Sequence, residues 1–100
     1  MLIQHGDTED GTSWLVDYGD QKPFHLQLVD AGFDVWLGNN RGTRFSRGHT
    51  TLDPVADAER YYDFTWAEMG LYDDSATVLK IKEVTHQDKI SYVGYSQGTI

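Results

Sequence analysis

The stretch ISYVGYSQG at residues 90–98 constrains this chain more than any other. Branched and aromatic residues of strand character run straight into Gly-x-Ser-x-Gly. A strand that ends this way has to turn sharply, hold Ser96 at the turn and continue into a helix. Side chains at Gly94 or Gly98 would crowd a serine held in a strained backbone conformation. The two glycines leave room for the turn and for a substrate beside it. The plain alternative is a serine in a glycine-flanked loop. The strand leading into Gly94 argues instead for a nucleophile elbow, with Tyr95 and Gln97 on either side of the serine.

Upstream of the elbow the pattern alternates between strand and helix. Leu2, Ile3 and Gln4 read as the end of a short apolar strand, broken at Gly6, and residues 7–20 read as a loop rich in Asp, Gly, Thr and Ser. Pro23 suits a first helical turn, Phe24, Leu28 and Ala31 then share one face, and Gly32 follows as a C-terminal cap. Residues 33–37, FDVWL, have the composition of a second strand. A long connection over residues 38–64 follows, with a short helical turn expected after Pro54. Thr65 and Glu68 have the spacing of a capping box, and Met69, Tyr72, Ala76 and Leu79 continue one helical face to about Thr85. Residues 90–93 are the third strand.

Strand, helix, strand, helix, strand predicts a parallel sheet with right-handed crossovers, the α/β class. Such a sheet is covered on both faces. Three strands and two helices are too few for that, so the fold reading predicts further chain, unpaired sheet edges and uncovered apolar helix faces in these residues alone.

Charge and composition remove several function classes. A formal net charge of −8 on 100 residues disfavours nucleic acid and anionic membrane surfaces as partners, while 39% hydrophobic residues suit a globular chain. There is no cysteine, and His5, His25, His49 and His86 lack the close spacing of a helical zinc site, so no metal is expected. The first residues show neither a basic nor a long apolar region, which predicts an intracellular chain or a missing beginning. Arg41, Arg44 and Arg47 read as structural partners of nearby acids such as Asp63, Glu68 or Asp73, with carboxylate or headgroup binding as the functional alternative. Trp14, Trp36 and Trp66 read as packing residues, and Asp73 with Asp74 as a solvated helix face.

The second piece of candidate chemistry is Gln4-His5-Gly6-Asp7, directly after the first strand. In a fold with a nucleophile elbow, a backbone N–H from this loop joins the N–H after the serine to bind an oxyanion. The two donors here would be the N–H groups of Asp7 and Gln97. His5 precedes Ser96, whereas the base of such a fold follows its serine and its acid. His5 is therefore read as shaping the loop.

With these residues in place, the segments LIQHG, LVDAGFDVWLGNNRG, FTWAEMGLYD and YVGYSQGT resemble the acid lipase family of α/β-hydrolases, the gastric and lysosomal acid lipases, along nearly the whole chain. The resemblance implies a partial α/β-hydrolase domain over residues 1–100, three parallel strands and two crossover helices ending at the elbow. It implies hydrolysis of neutral lipid esters (triacylglycerols, cholesteryl esters) with Ser96 as nucleophile, no cofactor, transient contact with a lipid surface, and a lysosomal or secreted location. Family members are several times longer and supply a cap, an Asp and a His after the elbow, none of which can be matched here. By itself the 100-residue chain is then expected to be inactive. The sequence departs from the family at Asp7, usually Leu, at Tyr95, often His, and around Tyr61-Tyr62, usually Phe-Trp. A small-ester esterase or thioesterase, and a truncated product without catalysis, are the alternative readings. An epoxide hydrolase or dehalogenase is disfavoured, because those elbows carry Asp in place of Ser96.

Overall fold

The computed structural model of the chain describes residues 1–16 and 19–100. The part of the loop expected at Asp17 and Tyr18 lies outside the described residues. Three short strands, β1 (Leu2–Gln4), β2 (Trp36–Leu37) and β3 (Tyr92–Gly94), form one parallel sheet in the order β2-β1-β3. β1 lies in the middle because it alone can be buried throughout: Leu2, Ile3 and Gln4 have no accessible surface. The α/β reading holds, with β1 at the centre of the sheet.

The ladder is shorter than the residue pattern predicts. Of residues 33–37 only Trp36 and Leu37 pair with β1, opposite Leu2 and Ile3. Phe33 is unavailable because its N–H donates to Leu28 O, while Gly32 N–H donates to Val29 O. This pair of hydrogen bonds at a helix end, with Gly32 at φ +93°, is a Schellman cap. It closes α1 (Phe24–Asp30) and delays the strand. Pro23 sits one place outside α1, as its N-cap. β3 likewise starts at Tyr92 and runs to Gly94, because β1 offers partners only from Leu2 to Gln4.

Between β2 and β3 the chain forms a one-turn helix α2 (Ala58–Tyr61), then α3 (Trp66–Glu68). The capping box is present: Thr65 N–H donates to Glu68 Oε2 at 2.7 Å, and the Thr65 hydroxyl oxygen accepts from Ala67 N–H. The uninterrupted helix expected from there to residue 85 is not formed. A π-helical segment, Met69–Asp74, separates α3 from α4 (Ser75–Thr85). A π turn contains more residues than an α turn, so spacings of three and four across it no longer select one face. Tyr72 and Leu79 accordingly stand 58% and 65% exposed, and Ile81 is the buried residue of α4 instead. Trp66, read as packing, is also exposed. Trp14 does pack, against Phe24 with ring centroids 5.7 Å apart and edge-on to Tyr95 at 6.4 Å.

The widened segment brings the acid pair off the solvated face. Asp73 receives Arg41, as described below, and Asp74 is pressed against β3. Tyr92 Oη donates to Gly98 O at 2.7 Å and lies 3.5 Å from Asp74 Oδ2, while Asp74 Oδ1 is buried without a partner. Burial, and then the charge of Asp73, raise the Asp74 pKa. Burial chiefly pushes the Tyr92 phenol up to about 12.

The buried hydrophobic side chains among the described residues are Leu2, Ile3, Tyr61 and Ile81. Phe24, Leu26 and Val29 on α1, Leu71, Leu79 and Val84 after it, and Tyr92 on β3 remain exposed. No described helix is long and apolar enough to cross a membrane. Two outcomes follow. Expressed as these 100 residues, the chain should bind a hydrophobic dye and melt broadly with aggregation; a sharp, cooperative, monomeric melt would contradict it. Asp74 binds its proton more tightly folded than unfolded, so its ionisation destabilises the fold above the raised pKa. Asp74→Asn should thus raise the melting temperature of the protein at pH about 7, with the gain vanishing below the ordinary aspartate range near pH ~4.

Candidate active site

The site is set by strand register. Gln4 pairs with Gly94, so β1 and β3 end level with each other. The residues that follow, His5-Gly6-Asp7 and Tyr95-Ser96-Gln97, leave the sheet side by side at its carboxyl end, where ligands bind in open parallel sheets. Tyr95 N–H still donates to Gln4 O at 3.1 Å, carrying the pairing one residue beyond the strand. A Cβ placed on Gly6 would lie 3.1 Å from Ser96 Cβ and 3.1 Å from the Tyr95 ring, so the two loops touch at the serine.

Ser96 itself has φ +51°, a left-handed conformation that is costly for a residue with a side chain. It opens a 3₁₀ turn, Ser96–Thr99, and its side chain is exposed. Both motif glycines are required by backbone contacts. A Cβ on Gly94 would sit 2.0 Å from Gly98 O, and one on Gly98 would sit 2.6 Å from His5 O and 2.7 Å from Gln4 O. The turn thus folds back onto β3 and rests on the end of β1 with no space for a methyl group at either position. Thr99 Oγ1 donates to Ser96 O at 2.6 Å and closes the turn.

Gln97 follows as the second residue of the 3₁₀ turn, where backbone N–H groups lack partners within the turn. Its side chain is anchored elsewhere, with Nε2 donating to Met69 Sδ at 3.1 Å. The Asp7 N–H also has no acceptor among the described residues. The Asp7 carboxylate is exposed and accepts from Thr8 N–H at 2.9 Å. Thr8, a β-branched residue, has φ +59°, so this loop is strained as the elbow is. Gly6 N–H donates to Glu9 Oε2 at 3.0 Å.

His5 is 5% exposed and both ring nitrogens are engaged, Nδ1 with Gly6 O at 2.8 Å and Nε2 with Asn40 N–H at 3.2 Å. Neither is free to take a proton from Ser96. Among the described residues the Ser96 hydroxyl has no histidine or carboxylate partner.

The loop after β2 braces this arrangement in ways the residue pattern did not reveal. Asn39 Oδ1 accepts from Gly11 N–H at 2.8 Å, and Asn40 meets His5. Arg41 binds Asp73 through its side chain, Nη2 to Oδ1 at 2.7 Å, and through its backbone N–H at 2.9 Å. That pairing raises the Arg41 pKa, and the guanidinium also lies over the rings of Phe64 and Tyr72. Of the partners expected for the arginines, Asp73 is the one found. Arg44 instead faces Asp10 at 3.6 Å. Asp10 caps the 3₁₀ turn Gly11–Leu15, and its bonds from the Thr12 hydroxyl and N–H lower its pKa. Two asparagines immediately after a strand, GNN, were the one signal that could have marked this brace.

Between the loop after β1 and the loop after β2 lies a cleft of about 690 Å³, bordered by His5, Asp7, Glu9, Arg41, Phe64 and Gln97. A smaller slot of about 300 Å³ lies between Trp14 and Tyr95. Among the described residues no three His, Asp or Glu side chains are grouped to hold a metal.

No family model matches the chain. Individual relatives do. It is 49% identical over 100 residues to triacylglycerol lipase 2 of Arabidopsis thaliana, covering all of this chain and 23% of that lipase. Lipase 1 of Drosophila melanogaster is 44% identical over 98 residues, covering 98% of this chain and 22% of its own length. Gastric triacylglycerol lipase of Rattus norvegicus is 41% identical over 99 residues, covering 99% of this chain and 24% of its own. The chain spans about a quarter of the length of these relatives. Matched from end to end at this identity by lipases of plant, insect and mammal, the chain belongs to the acid lipase-like family.

Proposed function

We propose that these residues carry the nucleophile and the oxyanion-binding loop of a serine ester hydrolase that cleaves neutral lipid esters, triacylglycerols and cholesteryl esters. The observation that carries this reading is the left-handed Ser96 at the end of a parallel strand, in contact range of the Gly6 loop. In the reaction the Ser96 oxygen attacks the ester carbonyl carbon, and its proton passes to a base. The carbonyl oxygen becomes an oxyanion bound by the N–H groups of Asp7 and Gln97. The alcohol leaves with a proton returned by that base, the acyl group stays on Ser96, and water releases the fatty acid. The base and its orienting acid come from outside these residues, as does a cap over the lipid. In the full-length protein we place this chemistry at a lipid surface, in a lysosomal or secreted setting.

The negative charge of Asp7 is compatible with an oxyanion nearby because its carboxylate is turned onto the Thr8 amide. The donor in this scheme is the backbone N–H, which a leucine would supply equally.

Three measurements test the reading. Full-length protein should react with a fluorophosphonate at Ser96, and Ser96→Ala should abolish labelling and lower ester turnover on the order of 10⁴-fold or more. Long-chain triacylglycerol should be preferred over acetyl esters; the reverse preference would point to a small-ester esterase. Asp7→Leu should alter turnover by less than about tenfold, whereas a gain of about a hundredfold would show that the carboxylate faces the oxyanion.

A further inference from the structure

We propose that His5 is a positioning residue that aims the Asp7 N–H, and that Asn40 selects the ring tautomer that lets it do so. The inference rests on the oxyanion role proposed for Asp7.

A backbone N–H can only donate, so the Asn40 N–H at 3.2 Å requires His5 Nε2 to carry a lone pair. The ring proton then lies on Nδ1 and is donated to Gly6 O at 2.8 Å. The Gly6 carbonyl and the Asp7 N–H belong to one planar trans peptide, in which C=O and N–H point in opposite directions. Holding the carbonyl on the buried imidazole therefore turns the Asp7 N–H away from it. That N–H has no acceptor among the described residues, and Asp7 borders the cleft.

The neighbouring groups leave this peptide little room to rotate. Gly6 N–H is held by Glu9 Oε2 at 3.0 Å on one side, and Thr8 is locked at φ +59° on the other. Asn40 is 6% exposed and directly follows the loop start after β2, so the tautomer is selected by a different segment from the one it orients. A histidine kept only for packing would not need both nitrogens engaged along this line. A peptide free to flip would present the Gly6 carbonyl, an acceptor, where the oxyanion needs a donor.

The test uses full-length protein and two substitutions. His5→Phe keeps the ring volume and removes both bonds; His5→Asn keeps a donor at the place of Nδ1 and so retains the bond to Gly6 O. His5→Phe should lower kcat on the order of 100-fold with KM within about threefold, the loss expected for an oxyanion donor. Affinity for a trifluoromethyl ketone analogue of the ester should fall by a similar factor, and affinity for the fatty acid product should not change. His5→Asn should recover kcat to within about tenfold of wild type. Nitrogen-15 spectra of the wild-type ring should show the Nδ1–H tautomer. A wild type with the Nε2–H tautomer, or His5→Asn as impaired in kcat as His5→Phe, overturns the inference while Ser96 labelling upholds the active-site reading. A wild type that neither labels at Ser96 nor cleaves esters removes that reading and this inference with it.

Discussion

The contact on which the site depends is between backbones. The 3₁₀ turn after Ser96 presses Gly98 against the carbonyls of Gln4 and His5, at distances that exclude even a methyl group, while Gly94 lies under the Gly98 carbonyl. Strand pairing brings Gln4 opposite Gly94, and these glycine contacts draw the two loops together beyond it. Only then does Gly6 meet the serine. The left-handed Ser96 is tolerated because pairing on one side and the closed turn on the other both specify its position. Such strain persists where surrounding structure over-determines it.

A second layer holds the first in place. The loop after β2 has no regular structure, yet three consecutive residues in it each brace a different segment. Asn39 holds the start of the 3₁₀ turn at Gly11, Asn40 the imidazole of His5, and Arg41 the widened helical segment at Asp73. Arg41 is partly buried, is bidentate and lies over two rings, so its contribution exceeds that of an ordinary exposed ion pair. The side chain of Gln4 shows the reverse case. It is fully buried beneath Gly38 with its amide nitrogen and oxygen unpartnered, the least well satisfied polar group beside the site.

Local signals were legible where one interaction decides local geometry. Thr65 and Glu68 announce their capping box because both partners lie within one turn, and Gly32 marks the end of α1 because only a left-handed residue closes that cap. Strand lengths were overestimated because a ladder ends where its partner does. Composition at residues 33–37 and 90–93 carries no information about the three-residue β1. The π-helical segment was invisible for a related reason. Met69 meets Gln97 and Asp73 meets Arg41, both far away in sequence, and the spacing of apolar residues anticipated a continuous helix.

The sequence by itself determined the order of elements, the α/β class and the candidate serine between its glycines, because these rest on periodicity, turn chemistry and motif spacing. It also carried the family, through four separated segments in order. Tertiary structure alone decided that Nε2 of His5 is occupied by Asn40, that Asp74 is half-buried beside Tyr92, and that Asn40 and Arg41 brace the site. Each of these depends on contacts across 18 or more residues, and a donor or acceptor acquires its partner only when the chain has closed around it.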